Sequence, residues 1–279
     1  MSSETTASFG AWCALKSSFP SDKDIYSLRG SPSFNPVLLL RKLSLPESDF
    51  SVFIIEELLL ERYAAAVRSI SRFFSSASAG VFTCLLEEFD WWNIMLLAKN
   101  AISRRDRGMF AEILFKPPSS TLMPPDISSS DGIIDMDSII NGYKDFFPLY
   151  ARNTLSSAIL TSEGYRFFEY LISALKLIRL RTASSDLDTK SRKDFSVHIQ
   201  SGYKSLVSAL PPSIPSYLTN TLTYLKNTIP HAVRNDPGTS LDSSRFDSPF
   251  ARFSDLVETR NRINGFCASL GWMKHHVVS

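Results

Sequence analysis

Apolar residues recur at spacings of three and four positions along most of this chain. The pattern is longest over residues 162–182, where its members are Phe167, Tyr170, Leu171, Ala174, Leu177 and Ile178. Such spacing places side chains on one face of an α-helix. Further helices are predicted over residues 35–42, 53–74, 85–106, 135–150, 195–210, 216–228 and 249–270. We therefore expect an all-α fold, a multi-helix bundle of packed helical hairpins with long loops rich in proline and serine.

The domain organisation follows from where this helical pattern begins and where it is interrupted. Residues 1–50 contain scattered prolines and are predicted to form an irregular segment that packs on a helical domain of residues 51–279. Proline and serine cluster over residues 116–131, and residues 231–248 are polar and contain Pro and Gly. Long stretches of this composition are loops, so both are possible boundaries inside the helical domain.

Three shorter stretches also carry local predictions. Phe9–Leu15 (FGAWCAL) is a compact apolar run that could form a short buried strand. Ser75–Gly80 (SSASAG) is small and polar, which favours a link between two helices. Residues 184–193 are rich in charge and are predicted to form a loop.

The predicted helix over residues 85–106 is apolar on nearly every side. Its centre carries a run of aromatic and polar residues, which are Phe89, Asp90, Trp91, Trp92 and Asn93. A helix that is apolar all round is buried among other helices, so we interpret this run as a structural signature of packing. The two tryptophans then face different neighbours, and the Asn93 amide is buried and hydrogen-bonded. A catalytic cluster, or a tryptophan at an external interface, is the alternative interpretation.

Charge and composition change this picture little. The 279 residues have a net charge of +2 and a pI of about 8.4. This balance argues against nucleic acid as a partner, because nucleic-acid-binding domains carry a basic stripe. No apolar run reaches the length of a membrane span, and the first residues do not resemble a signal peptide, so we expect no direct membrane insertion. Cys13, Cys84 and Cys267 are expected to be free, buried thiols in a reducing compartment.

Motifs of catalysis and cofactor binding are not found in the sequence. There is no glycine-rich phosphate loop, no dinucleotide fingerprint, no H-E-x-x-H, no C-x-x-C and no G-x-S-x-G. Cys267, His275 and His276 could form a metal site, but a solvated C-terminus explains the two histidines more simply. We therefore predict no catalytic residues, no cofactor-binding residues and no metal ligands, and a protein that is not an enzyme.

Paired carboxylates are the one feature that could favour an enzyme. The pairs are Glu56–Glu57 and Glu87–Glu88, and a helical metalloenzyme using Glu57, Glu87 or Glu88 is conceivable. Bundles that bind metals through carboxylates also supply histidines from Glu-x-x-His motifs, and neither helix has one. We instead interpret these acids as residues of the first helical turns, where they interact favourably with the helix dipole.

The run LLEEFDWWNIMLLAKNAISRRD, Leu85–Asp106, resembles a pattern in the C subunit of the A-type and V-type rotary ATPases, whose counterpart in the eukaryotic vacuolar enzyme is the d subunit. The matching positions are Leu85, Leu86, Phe89, Asp90, Asn93, Ile94, Leu97 and Lys99. Glu56–Phe73 resembles the preceding helix in short bacterial relatives, and Ser254–Phe266 more loosely resembles helices near the C-terminus of the family.

The resemblance implies a non-catalytic central-stalk component. Such a component links the rotor shaft to the membrane rotor ring and couples ATP turnover to the transport of ions such as protons. Its partners would be other rotary ATPase subunits, and it would be cytoplasmic and peripheral to the membrane through its complex. A generic helical adaptor or scaffold without enzymatic activity is the alternative. For partner binding we select the basic residues that flank the two helices, which are Arg62, Arg68, Arg72, Arg104, Arg105 and Arg107.

Overall fold

The structure, a computed structural model, describes residues 3–30, 36–45, 52–103, 136–149, 152, 162–228 and 248–277. Within these ranges every regular element is a helix, which confirms the all-α prediction. The α-helices are α1 (Ser3–Lys16), α2 (Asp22–Gly30), α3 (Pro36–Lys42), α4 (Val52–Ser71), α5 (Ser76–Ser103), α6 (Met136–Gly142), α7 (Ser162–Ala183), α8 (Thr189–Ala209), α9 (Ser216–Thr228) and α10 (Pro249–Val277), and a 3-10 turn covers Lys144–Phe146. None of the described helices has the length and apolar character needed to cross a membrane.

The chain divides into two compact units. Unit 1 consists of residues 1–82 and 238–279, and unit 2 of residues 83–237. The predicted domain boundary after residue 50 falls inside unit 1, whereas the predicted boundary over 231–248 includes the second division. Residues 116–131 lie outside the described residues.

Unit 1 is organised around α10, which packs against α4 and α2, while α1 packs against α4. The buried positions of α4 recur at helical spacing and are Ile55, Leu59, Leu60, Tyr63, Ala64, Ala66, Val67 and Ile70. From α10 the core receives Leu256, Ile263, Phe266 and Leu270. This burial follows the pattern of an amphipathic helix, so the hydrophobic effect determines which face of each helix is inside.

The short helices α2 and α3 of unit 1 are connected through their ends. Asp24 in the first turn of α2 accepts hydrogen bonds from the Ser21 backbone amide and from Nζ of Lys42, each at 2.8 Å. Burial alone would raise the pKa of Asp24, but these hydrogen bonds outweigh it and hold the pKa below its ordinary value. After α3, Ser44 has a φ of 52°, in the left-handed region, and the amide of Leu45 donates to the Leu40 carbonyl at 2.8 Å. This is the hydrogen bond that closes a Schellman-type helix end.

Unit 2 is organised around α7, which packs against both α8 and α9. Its buried residues include Phe168, Leu171 and Leu175. The close approach of α8 is at Gly202, where an added Cβ would lie 2.9 Å from Cδ2 of Leu177 on α7. Unit 2 also contains the part of α5 from Thr83 onward, together with α6 and the 3-10 turn.

Several predicted elements are confirmed and others are wrong. Helices are confirmed over residues 36–42, 52–71, 162–183 and 216–228, while α10 extends seven residues beyond the predicted end at Leu270. The prediction over 135–150 is right only in part, because α6 ends at Gly142 and the 3-10 turn follows.

The strand predicted over Phe9–Leu15 is wrong, and within the first fifty residues the structure has two helices, α1 and α2, that were not predicted, beside the expected α3. On α1, Trp12 is buried whereas Phe9 and Cys13 are exposed. The residues of the apolar run therefore lie on both the buried and the solvent-exposed side of the helix. Cys13 therefore contradicts the expectation that all three free thiols are buried.

Two helices begin earlier than predicted because polar residues cap them. Ser75, expected in a link, precedes α5, and its hydroxyl oxygen accepts a hydrogen bond from the Ser78 amide at 3.4 Å. Asp188, expected in a charged loop, accepts hydrogen bonds from the amides of Lys190 and Ser191, both at 3.0 Å, and starts α8. Serine and aspartate satisfy the amides of a first turn in this way, so small polar runs can belong to helices.

Candidate functional site

The signature residues of α5 differ sharply in burial. Phe89 and Trp91 are buried, Trp91 with 1% of its surface exposed, and Asn93 is 3% exposed, as predicted for a buried amide. Trp92 is 36% exposed, so the second tryptophan is not a fully buried packing residue. A partly exposed tryptophan is compatible with the alternative interpretation, a tryptophan at an external interface.

Trp91 packs edge-on against the segment that contains α6 and the 3-10 turn. Its ring centroid lies 4.7 Å from that of Phe146 and 6.2 Å from that of Phe147, with interplanar angles of 87° and 89°. Phe147 in turn stacks on Phe168 of α7 at 6.1 Å. We call Trp91, Tyr143, Phe146, Phe147 and Phe168 the aromatic cluster, and it attaches residues 136–147 to α5 and α7.

Two ion pairs connect α5 to α7 beside this cluster. Glu87 accepts hydrogen bonds from two guanidinium nitrogens of Arg179, Nε at 3.0 Å and Nη2 at closer range. Glu88 accepts one from Nζ of Lys176 at 2.7 Å. The Arg179 guanidinium also lies 5.5 Å from the centre of the Phe146 ring, in a cation–π contact. Charged and aromatic groups are thus used together to hold unit 2 in register.

These pairs correct the interpretation of the carboxylates. No acidic residue lies in the first turn of α4 or of α5, so the helix dipole does not explain Glu56–Glu57 or Glu87–Glu88. The prediction failed because it placed the start of this helix at residue 85, whereas α5 begins well before Glu87. The cationic partners could have been suspected from the sequence, since Lys176 and Arg179 have the three-residue spacing that puts both on one side of a helix.

The same arrangement bears on the metalloenzyme alternative. Glu87 and Glu88 are occupied by cations, and Glu57 is exposed on α4 of unit 1. Across the part of the chain that the structure describes, no group of three or more His, Cys, Asp and Glu side chains is placed to hold a metal ion.

Asp90 is the most unusual side chain of the site. Only 9% of it is exposed, and within the described ranges it has neither a hydrogen-bond donor nor a paired cation. Burial, with a smaller contribution from the charge of Glu87, raises its pKa to about 6. Burial likewise raises the pKa of Tyr143, and the Asp90 charge adds to that effect. The Cys84 thiol, with a pKa raised to about 12 by burial, is a weak nucleophile.

The arginines selected for partner binding fall into three situations. Arg62 donates from Nη1 to the Leu43 carbonyl and from Nη2 to the Ser44 carbonyl at 2.7 Å, so it satisfies the end of α3. Arg68 is half-buried and Arg72 is exposed. Arg104, Arg105 and Arg107 lie outside the described residues. Partner binding by these six residues stays a prediction, with a structural role now visible for Arg62.

Comparison with known proteins finds no matching protein-family model, no similar curated protein and no similar solved structure.

Proposed function

We propose that this chain is a non-catalytic helical subunit that acts by binding other proteins. We further propose that it is the central-stalk subunit of an A-type or V-type rotary ATPase, where it links the rotor shaft to the membrane rotor ring for ATP-coupled ion transport. In this role it is cytoplasmic and reaches the membrane only through its complex. Its partners are the shaft subunits and the rotor ring, and it needs no cofactor.

Protein binding is supported mainly by the exposure of Trp92. The neighbours of Trp92 along α5, Trp91 and Asn93, are buried, which makes the exposed indole a local exception. Tryptophan is one of the residues enriched among those that dominate binding energy at protein interfaces. The ion pairs of Glu87 and Glu88 support a structural use of the charged groups, because each carboxylate already has a cation within the unit.

The rotary ATPase assignment is supported by the resemblance of Leu85–Asp106, Glu56–Phe73 and Ser254–Phe266 to that family. The all-α architecture is compatible with it. The alternative, a helical adaptor for an unrelated assembly, shares the same fold and the same exposed tryptophan, so only the identity of the partners separates the two.

Affinity capture of the tagged full-length chain in mild detergent tests the proposal, with the bound proteins identified by mass spectrometry. Rotor-shaft and rotor-ring subunits should be recovered with the wild-type chain and lost with Trp92→Lys. Tyr224→Lys is the matched control, because Tyr224 is an exposed aromatic residue on α9 of the same unit. Circular dichroism verifies that both variants are folded.

Each outcome separates one part of the proposal from another. If the captured partners depend on Trp92 but include no rotary ATPase subunit, the stalk-subunit proposal is wrong and the adaptor alternative remains. Capture that is equal for wild type and Trp92→Lys would show that Trp92 is not the contact. Hydrolysis of ATP by the isolated chain would contradict the non-catalytic assignment.

A further inference from the structure

The solvent-facing side of α8 carries five residues in a regular order. The residues that α8 buries in unit 2 are Ser191, Phe195, Ile199 and Leu206. Opposite to them lie Lys193, Val197, Gln200, Lys204 and Val207, which we call the α8 stripe. Their spacings alternate between four and three residues, and at about 100° per residue such spacings keep side chains on one side of a helix. The stripe therefore forms one continuous surface about 21 Å long.

Two exposed valines are the apolar part of this stripe. Val197 is 53% exposed and Val207 is 42% exposed, so packing within unit 2 leaves much of both side chains in water. Valine is also a poorer helix former than alanine, leucine or lysine, so helix formation does not account for it at a solvent-facing position. Contact with another molecule would remove both valines from water, which is favourable.

Two lysines give the stripe a positive charge. Lys193 and Lys204 are exposed, and neither has an ion-pair partner among the residues that the structure describes. The one acid of α8, Asp194, is half-buried and points about 100° away from Lys193 around the helix. Asp188 precedes the helix, and its carboxylate accepts hydrogen bonds from two amides of the first turn. No acid of α8 therefore compensates the two lysines of the stripe.

The spacing and the charge together indicate which molecule fits the stripe. Alternating spacings of four and three residues are those of the seam along which two α-helices pack side by side. Apolar residues of a second helix would cover Val197 and Val207, and its carboxylates would lie near Lys193 and Lys204, which is the charge complementarity found across protein interfaces. A second copy of α8 does not fit, because it would bring further lysines and no acid into the seam.

Membranes and nucleic acids fit the stripe less well. Helices that bind at a membrane surface insert large apolar side chains such as tryptophan, phenylalanine and leucine, whereas the stripe has two valines. Nucleic-acid-binding surfaces use clusters of lysine and arginine, with aromatic side chains for single strands, and the stripe contains neither an arginine nor an aromatic residue. An acidic protein helix is therefore the occupant that the composition favours.

We propose that the α8 stripe is a docking surface for an acidic amphipathic helix of another protein. The partner helix lies along α8 for about four turns, covers Val197 and Val207, and pairs its carboxylates with Lys193 and Lys204. This surface is on a different helix from Trp92, so the inference goes beyond the proposed function and does not rest on it. Unit 2 then has two separate binding surfaces.

Site-specific photo-crosslinking of the full chain, in a lysate of its source cells, tests the proposal. A benzoylphenylalanine in place of Val197 should crosslink to a segment of another protein. Mass spectrometry of the crosslinked peptide should show an amphipathic sequence with an excess of aspartate and glutamate. The same photo-reactive residue in place of Tyr224 on α9, which is also 53% exposed, is the control and should not crosslink to that segment.

Charge reversal tests the role of the two lysines. Lys193→Glu combined with Lys204→Glu should lower the yield of the position-197 crosslink at least about tenfold, because each new carboxylate would face an acid of the partner. Lys226→Glu makes the same change of charge at an exposed position of α9 and should leave the yield unchanged. Raising the salt concentration from about 0.05 M to about 0.5 M should also lower the yield, since salt screens exposed charges.

Several outcomes would overturn the proposal. They are the absence of a protein crosslink at position 197, a crosslink to this chain itself, to lipid or to nucleic acid, a crosslinked segment without an excess of acidic residues, and a yield that the lysine reversals do not change. Trp92→Lys should leave the crosslink intact even if it abolishes the capture of other partners, so failure of the proposed function and failure of this inference are distinguishable. Loss of the crosslink in Trp92→Lys would show that the two surfaces are not separate.

Discussion

Replacing Trp91 with alanine should be among the most destabilising single changes in unit 2. Trp91 is 1% exposed, and its ring meets Phe146 edge-on at 4.7 Å, within the favourable range for aromatic pairs. Truncation of a buried tryptophan to alanine costs about 3–5 kcal/mol, including the cavity that remains. Loss of the edge-to-face pair contributes about 0.5–1.5 kcal/mol of that total.

Trp92→Ala is the matched comparison, one residue along the same helix. Trp92 is 36% exposed, so it buries about two thirds of the area that Trp91 does, and water can fill the space it leaves. At about 25 cal/mol per Å² of a side chain burying about 200 Å², we expect Trp92→Ala to cost about 2 kcal/mol less than Trp91→Ala.

Urea denaturation followed by far-UV circular dichroism measures both free energies of unfolding. Trp91→Ala should lower the urea midpoint clearly more than Trp92→Ala, with similar slopes for the two variants. Equal losses, or a larger loss for Trp92→Ala, would refute the assignment of Trp91 as the residue that attaches the aromatic cluster to α5.

Three further predictions concern local backbone and charge. Gly10→Ala should stabilise unit 1 by about 0.5–1 kcal/mol in thermal denaturation, because the new methyl group meets nothing within 4 Å. Gly202→Ala should stabilise the protein less, because its Cβ would lie 2.9 Å from Leu177. Ser44→Gly should raise the melting temperature, with a gain of about 0.5–1 kcal/mol, because its φ of 52° suits glycine; a loss would contradict the left-handed conformation. Asp24 has a lowered pKa, so it stabilises the fold above about pH 4, and this contribution disappears on acidification. Asp24→Asn should therefore reduce stability at neutral pH and weaken the dependence of the urea midpoint on pH on the acid side.

The helices with long one-sided patterns could be predicted from the sequence because burial follows periodicity. Of the apolar face predicted over residues 162–182, Phe167, Leu171 and Ala174 are buried in α7, whereas Tyr170, Leu177 and Ile178 are half-buried. The helical pattern of α5 correctly placed Asn93 inside. The same helical pattern treated Trp91 and Trp92 alike, although only Trp91 is fully buried. Exposure at one position depends on which neighbour happens to lie there, and this is a tertiary property that periodicity does not contain.

The interpretation of the carboxylates failed for a related reason. Glu87 and Glu88 pair with Arg179 and Lys176, about ninety positions away along the chain. A local effect, the helix dipole, was preferred because it needs only a helix start, and that start was placed too late. Asp90 could not have been recognised as unusual either, since its elevated pKa arises from its burial in the folded unit and, to a smaller extent, from the charge of Glu87.

The discontinuous composition of unit 1 has a consequence for how the protein is made. During synthesis from the N-terminus, α2 and α4 leave the ribosome long before α10, which packs on both. Residues 83–237 are complete in the meantime, so unit 2 can fold while unit 1 still lacks Leu256, Ile263 and Phe266 from its core. The part of the apolar face of α4 that α10 covers stays exposed for that interval, so the nascent chain presents a hydrophobic helix surface of the kind that chaperones bind.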